Sequence, residues 1–288
     1  MRRIAFMNQK GGVGKTTTAV NLGAAFAERG RRVLAVDVDP QANLSAHLDF
    51  EGDGSRPTVY EVLTGRARVR DAVLDTSTPG LKLLPSSIDL SGAEIELVQE
   101  MGRETLLRSA LDEYFRELPP EELPDFLLID CPPSLGLLSL NALTTALEVM
   151  IPIQTQYFAL RGIGKLLEVV TLVKRRLRPP LEISLIIPSI ADLRTNLTGE
   201  ILAEIRRHFG NRVARTLVRT NVKLAEAPSH GRTIFEYDNS SRGAQDYRRL
   251  AREILGELTP EDLAEFAEMD LRFRGPPPPE TPPDEVVP

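Results

Sequence analysis

Lys10-Gly11-Gly12-Val13-Gly14-Lys15-Thr16-Thr17 gathers two lysines, three glycines and two threonines directly after the apolar run Ile4–Met7. Such a loop turns backbone N–H groups inward, and a helix starting at its end adds a partial positive charge, so the site it forms suits phosphate. Lys15 is placed to reach β- and γ-phosphates, and the Thr16 hydroxyl can ligate Mg²⁺. The pattern G-x-x-x-x-G-K-[ST] nevertheless fails, because Gln9 stands at its first glycine and a second lysine, Lys10, opens the loop. Carboxylates complete the chemistry. Asp37 and Asp39 lie two apart at the end of Val33–Val36, and Asp130 closes Phe126–Ile129. An acid at the end of a buried strand can hold the Mg²⁺ shell or orient water, and otherwise serves as a helix cap or a solvated strand end.

These side chains need a scaffold of short buried strands alternating with helices. Strands are expected at Ile4–Met7, Val33–Val36, Leu81–Leu84, Phe126–Ile129, Val149–Ile153, Ile183–Ile187 and Val213–Val218. Their unbroken apolar character marks a sheet covered on both faces. Helical patterns fill 15–29, 92–117, 136–147, 162–177, 197–209 and 241–256, with Ser91 and Glu94 spaced as a capping box for the second. The fold class is α/β: a P-loop NTPase with a doubly wound, mostly parallel sheet and helices on both faces. Residues 1–256 form that domain. A short helix follows in 257–274, opened by Thr259 as N-cap and Pro260 at the first helical position. Residues 275–288 are acidic and proline-rich and are expected to stay extended or disordered.

Composition excludes several classes. One cysteine, Cys131, allows neither an intramolecular disulfide nor a cysteine-ligated metal cluster, and three scattered histidines offer no metal site. The longest charge-free run, Cys131–Leu147, is too short and polar to span a bilayer, so a cytoplasmic protein without membrane contact is expected.

The loop with its two lysines resembles that of the ParA/MinD group of P-loop ATPases. Val33–Gln41 is similar to the group's second acidic motif, and Phe126–Pro133 to its Walker B strand. Asp192-Leu193-Arg194-Thr195-Asn196 and Asn221–Ser229 resemble the chromosomal ParA (Soj-type) subgroup. The resemblance implies ATP and Mg²⁺ as cofactors, with Thr16, Asp37 and Asp130 at the metal. It also implies that Asp39 positions the attacking water and that Lys10 crosses to the nucleotide of a second copy in an ATP-sandwich homodimer. The nucleotide would be held by Lys10 to Thr17, including Gly11, Gly12, Val13 and Gly14, and by Asn221 near the adenine. Two departures stand out: Arg219 replaces a usual proline, and Gln156 a frequent glutamate. The family's ParB-type activator usually acts through a basic N-terminal extension; here Arg2 and Arg3 alone precede the first apolar run.

A net charge of -6 argues against polyanion binding, yet the charges are unevenly spread. Residues 1–160 hold 15 basic and 22 acidic side chains, 161–255 hold 18 and 10, and 256–288 hold 2 and 9. Clusters on helices are often merely solvated faces, but the concentration in the middle block suits contact with DNA phosphates. The resemblance carries that contact onto Arg194 and Lys223, with Arg206, Arg207, Arg219 and Arg242 as further candidates. Binding would be non-specific to double-stranded DNA and nucleoid-associated, with a log–log salt slope of roughly -5 for about six phosphates. The expected function is a DNA-partition ATPase released by partner-stimulated hydrolysis. A MinD-like or other cargo-positioning ATPase and a slow nucleotide-sensing regulator are the alternatives.

Overall fold

The computed structural model describes residues 1–52, 54–155, 159–177 and 180–273. Gln156 and the segment 275–288 therefore lie outside the described residues. The strands are β1 (Arg2–Phe6), β2 (Val33–Asp37), β3 (Leu74–Asp75), β4 (Leu81–Leu84), β5 (Phe126–Asp130), β6 (Glu148–Gln154) and β7 (Glu182–Ser189). The first helices are α1 (Lys15–Ala27), α2 (Asn43–His47), α3 (Val59–Leu63), α4 (Val69–Ala72), α5 (Leu90–Glu96) and α6 (Leu106–Glu117). Then come α7 (Leu137–Thr145), α8 (Ala159–Leu177), α9 (Asn196–Phe209), α10 (Val222–Glu226), α11 (Ile234–Tyr237), α12 (Arg242–Leu255) and α13 (Pro260–Arg272).

The strands form one sheet in the order β3-β4-β2-β5-β1-β6-β7. All pairs are parallel except β3 with β4. Every residue of β2 and β5 is buried, as unbroken apolar strands require. One face packs side chains of α3, α6 and α7, among them Leu63, Leu111 and Leu138. The other packs α1 and α12 through Leu22, Phe26, Tyr247 and Leu250. Phe26 stacks on Phe126 of β5 with ring centroids 4.2 Å apart, which fixes α1 over the sheet centre.

Three expectations are corrected. Val213–Val218 is not a strand; it meets β7 in an isolated bridge at Ile186–Val213, and a second bridge, Ala191–Arg219, lies just beyond both segments. Ala214 and Val218 donate to Ile186 and Pro188, but the amides of Arg215 and Thr216 between them donate to the Glu253 carboxylate instead. That diversion interrupts the ladder. The 92–117 helix is two helices, parted at Gly102, whose φ of 71° ends any continuous winding. Asn141 pins the break by accepting the Leu107 N–H and donating to the Arg103 carbonyl. The Ser91–Glu94 capping box does not form either: Ser91 lies inside α5 and its hydroxyl donates to the Ile88 carbonyl. The antiparallel β3 was not expected from the sequence, being only two residues long.

Arg2 and Arg3 belong to β1 rather than preceding it. Arg2 forks onto Glu148 and Arg3 pairs with Asp112 at 2.7 Å.

Candidate functional site

Parallel pairing brings the C-terminal ends of β1, β2 and β5 to one edge, where Phe6 and Asp37 are both register partners of Asp130. The loop between β1 and α1 lies over that edge. Gly12 and Gly14 adopt φ of 72° and 87°, left-handed values that a side chain would strain, and Gly14 directly N-caps α1. The N-terminus of α1 thus opens onto a cavity of about 480 Å³ lined by Gly11, Lys15, Thr16, Thr17 and Asp39, with Pro228 and Ser229 opposite. Val13 turns away from it, buried, and its carbonyl accepts from the Ser189 hydroxyl at 2.6 Å. Lys10 reaches Gln154 at 3.5 Å across the loop's entrance.

The three acids sit in different surroundings. Asp130 is buried, and Thr16 donates to its Oδ2 at 2.6 Å while its Oδ1 has no hydrogen-bond partner among the described residues. Burial, with the nearby Asp37 charge, pushes the Asp130 carboxyl up to about 8. An orphaned oxygen on a buried acid, beside a threonine hydroxyl at a helix N-terminus, is the donor set a hydrated Mg²⁺ ion fits. Asp37 is also raised, to about 6, chiefly by burial. Both its oxygens are engaged: Oδ1 accepts the Asp39 N–H, and Oδ2 accepts the Ser45 N–H and hydroxyl. Asp37 therefore holds the Asp39–Ser45 turn, and toward a cation at Asp130 it would act through its charge. Asp39 faces the cavity, and its Oδ1 accepts the Gln41 N–H at 3.0 Å. Ser86 anchors the same turn by donating to the Asp39 carbonyl.

A second cavity of about 270 Å³ adjoins the loop, lined by Gly12, Thr17, Ile190, Leu224, Tyr247 and Asn221. Asn221 N-caps α10 by accepting the Lys223 N–H at 2.8 Å, which leaves its amide nitrogen as the group to offer a ligand. Tyr247 from α12 meets the Thr18 hydroxyl at 3.2 Å and closes the cavity floor.

The basic candidates separate. Arg194, Arg219 and Arg242 line one open cavity of about 530 Å³, whereas Lys223, Arg206 and Arg207 lie elsewhere. Arg194 forks onto Asp192 with its side chain 88% exposed, and Lys223 pairs with Glu226 at 2.9 Å. Arg219 grips buried Asp246 with its guanidinium and its backbone N–H, the hydrogen a proline would lack. Arg206 pairs with Asp270 and Arg207 with Glu204.

Sequence reasoning missed Ser45, Ser86 and Tyr247, whose contacts are 8 to 229 residues away in the chain and leave no local pattern. It also missed His47, which lines the larger cavity. Among the described residues no helix is long and apolar enough to cross a membrane.

Comparison with known proteins agrees with this arrangement. Residues 1–183 match the family model described as an AAA domain. The sporulation initiation inhibitor protein Soj of Bacillus subtilis is 45% identical over 251 residues, covering 87% of this chain and 97% of the relative. The chromosome-partitioning ATPase Soj of Treponema pallidum is 46% identical over 88% of this chain and 97% of its own. A Mycobacterium smegmatis structure, described as cobyrinic acid a,c-diamide synthase with bound ATP analogue and magnesium, superimposes with a TM-score of 0.76. It is 36% identical and covers 88% of this chain and 94% of that one. With its phosphate loop, strand-end acids and extended identity to these relatives, the chain belongs to the ParA/Soj family of chromosome-partitioning ATPases.

Proposed function

We propose that this ATPase binds Mg²⁺–ATP at the loop, forms an ATP-sandwich homodimer, and in that state holds double-stranded DNA non-specifically until a ParB-type partner stimulates hydrolysis. The Gly11–Thr17 amides and Lys15 take the phosphates, and Thr16 with Asp130 holds the hydrated metal. A bound Mg²⁺ supplies charge neutralisation across the β- and γ-phosphates. Asp39 accepts a hydrogen bond from the attacking water and orients it in line with the γ-phosphate. Lys10, at the loop's entrance, is the cation available to the second copy's nucleotide. Base and ribose fit the adjoining cavity, with Asn221 at its rim. The reading places the protein in the cytoplasm, on the nucleoid.

One observation carries the link from nucleotide to DNA: Arg219 and Thr220 line both the base-sized cavity and the arginine groove, so a single stretch of backbone is the wall between them. The groove supplies point charges without base-reading geometry, which favours phosphate contact. Since Arg206 and Arg219 are the least exposed of the carboxylate-paired candidates, the contacts narrow to Arg194, Arg207, Lys223 and Arg242, for a salt slope of about -3.6 rather than -5. Duplex binding measured with ATP, ADP and no nucleotide over a salt series tests this. Binding that requires ATP and weakens steeply with salt is expected; equal binding in all three states would overturn it.

A further inference from the structure

α13 carries five carboxylates, and its inner side lies on four arginines drawn from three segments: Arg206 of α9, Arg215, and Arg249 and Arg252 of α12. The contacts are organised in two grips. Asp262 receives Arg252 through two bonds of 2.7 and 2.6 Å and Arg249 at 3.2 Å, while Glu265 takes the far side of Arg249. Asp270 receives Arg206 at 2.9 Å and Arg215 at 3.6 Å. Two guanidiniums converging on one oxyanion is how arginine pairs hold a phosphodiester. The grips are eight residues apart on a helix, about 12 Å. Measured along a duplex axis, that span covers three to four base-pair steps, at roughly 3.4 Å of axis per phosphate of one strand.

Apolar contacts seat the helix. Phe266 is 2% exposed beneath the Arg215 guanidinium, 4.5 Å from it, and Phe273 covers Gly199 of α9, where a Cβ would collide with the ring. Thr259 and Asp262 form a capping box, so the helix start is locally specified. The outward residues Glu261 and Glu268 stay exposed, giving the covered surface an acidic exterior.

We propose that the arginine surface beneath α13 is a second docking surface for the phosphodiester backbone of DNA, and that α13 is its resident competitor, an acidic helix standing where phosphates would lie. This rests on the DNA-binding reading above and adds its regulation: the docked helix restricts DNA to Arg194, Arg207, Lys223 and Arg242, and its release adds the four arginines beneath it.

The test uses the full chain with ATP and a duplex of unrelated sequence, in a salt series. Phe266→Ala loosens the helix with no change of charge; Asp270→Asn frees Arg206 and Arg215 while keeping the capping box. Each is expected to bind the duplex about tenfold more tightly at low salt, with a log–log slope steeper by about 2 for Asp270→Asn and by up to about 4 for Phe266→Ala. Adding Arg206→Ala and Arg215→Ala to Asp270→Asn should return affinity and slope to those of the parent. If the parent binds and neither variant gains, the second surface is refuted and the groove reading stands. If only the variants bind, and through Arg206 and Arg215, the second surface holds and the groove reading fails. Absence of binding throughout overturns both.

Discussion

The phosphate-loop edge and the basic block treat charge in opposite ways. At the edge, Asp37 and Asp130 are buried together, raised by desolvation, and one Asp130 oxygen is left without a partner among the described residues. In the basic block, Arg194, Arg206, Arg207, Arg219, Arg249, Arg252 and Lys223 each hold a carboxylate already. The first region stores an imbalance that a proton or a cationic ligand relieves; the second is self-neutralised, so a polyanion must compete with internal acids. Nucleotide and metal affinity should therefore be high and geometric, and DNA affinity modest and salt-dependent.

The largest expected effect is at the edge. Lys15→Ala removes the buried cation that faces the loop cavity, and nucleotide affinity should fall by about 10²–10³-fold in equilibrium binding. Retained affinity would mean that the backbone amides alone hold the phosphates, and the contrast would lose its geometric half. Next is the ion pair in the basic block whose acid is most deeply buried among the described residues. Asp246→Ala leaves the Arg219 guanidinium without its partner and should cost about 3 kcal/mol in urea unfolding, while surface pairs such as Lys223–Glu226 cost little. Equal effects at the two would erase the distinction between wall and surface.

The same buried–exposed division decides what the sequence revealed. The loop was legible because its eight residues are contiguous and each acts through backbone or side chain on the spot. Asp130 was legible because an acid closing an apolar strand shares the chain with a glycine-rich phosphate loop. The engagement of Asp37 was not, since Ser45 reaches it from eight residues on through a turn that has no spacing rule. Val213–Val218 has all the apolar character of a strand, and only Glu253, on α12, makes it irregular. The arginine runs could be counted, but their partners come from other elements: Asp246 from α12, and Asp262 and Asp270 from α13. Charge totals are local sums; ion pairs are long-range facts.

A smaller effect tests the stored imbalance directly. Asp130 is raised from 3.8 to about 8, so the folded protein binds a proton more readily than the unfolded chain. Its contribution is favourable below about 4 and is lost as pH rises towards 8. Asp130→Asn removes that cost. The nucleotide-free variant should melt about 2–4 °C higher than the parent at pH 8. Magnesium affinity in the presence of nucleotide should fall about 10–100-fold. A lower melting temperature together with unchanged magnesium affinity would show the acid to be structural.

His47 joins the two regions and gives the finest test. It ends α2 and is buried at the edge of the nucleotide cavity. Its Nε2 lies 3.1 Å from the Arg232 carbonyl, which only accepts, so Nε2 carries the hydrogen. Burial lowers its pKa from 6.5 to about 4, outweighing the carbonyl and the Glu236 charge. Here the unfolded chain binds the proton first, so stability is whole above about 6.5 and declines as pH falls towards 4. Asp37 works in the opposite direction, since its raised carboxyl takes up protons in the folded state as pH falls below 6. The His47 contribution is thus read as a difference between the parent and His47→Gln, which keeps an amide donor for the carbonyl. Between pH 7 and pH 5 the parent should lose about 2 kcal/mol more than the variant in urea unfolding. Parallel pH profiles would mean that the ring is hydrated and charged when folded, and that the link between α2 and the 227–233 turn is a solvated contact rather than a dry one.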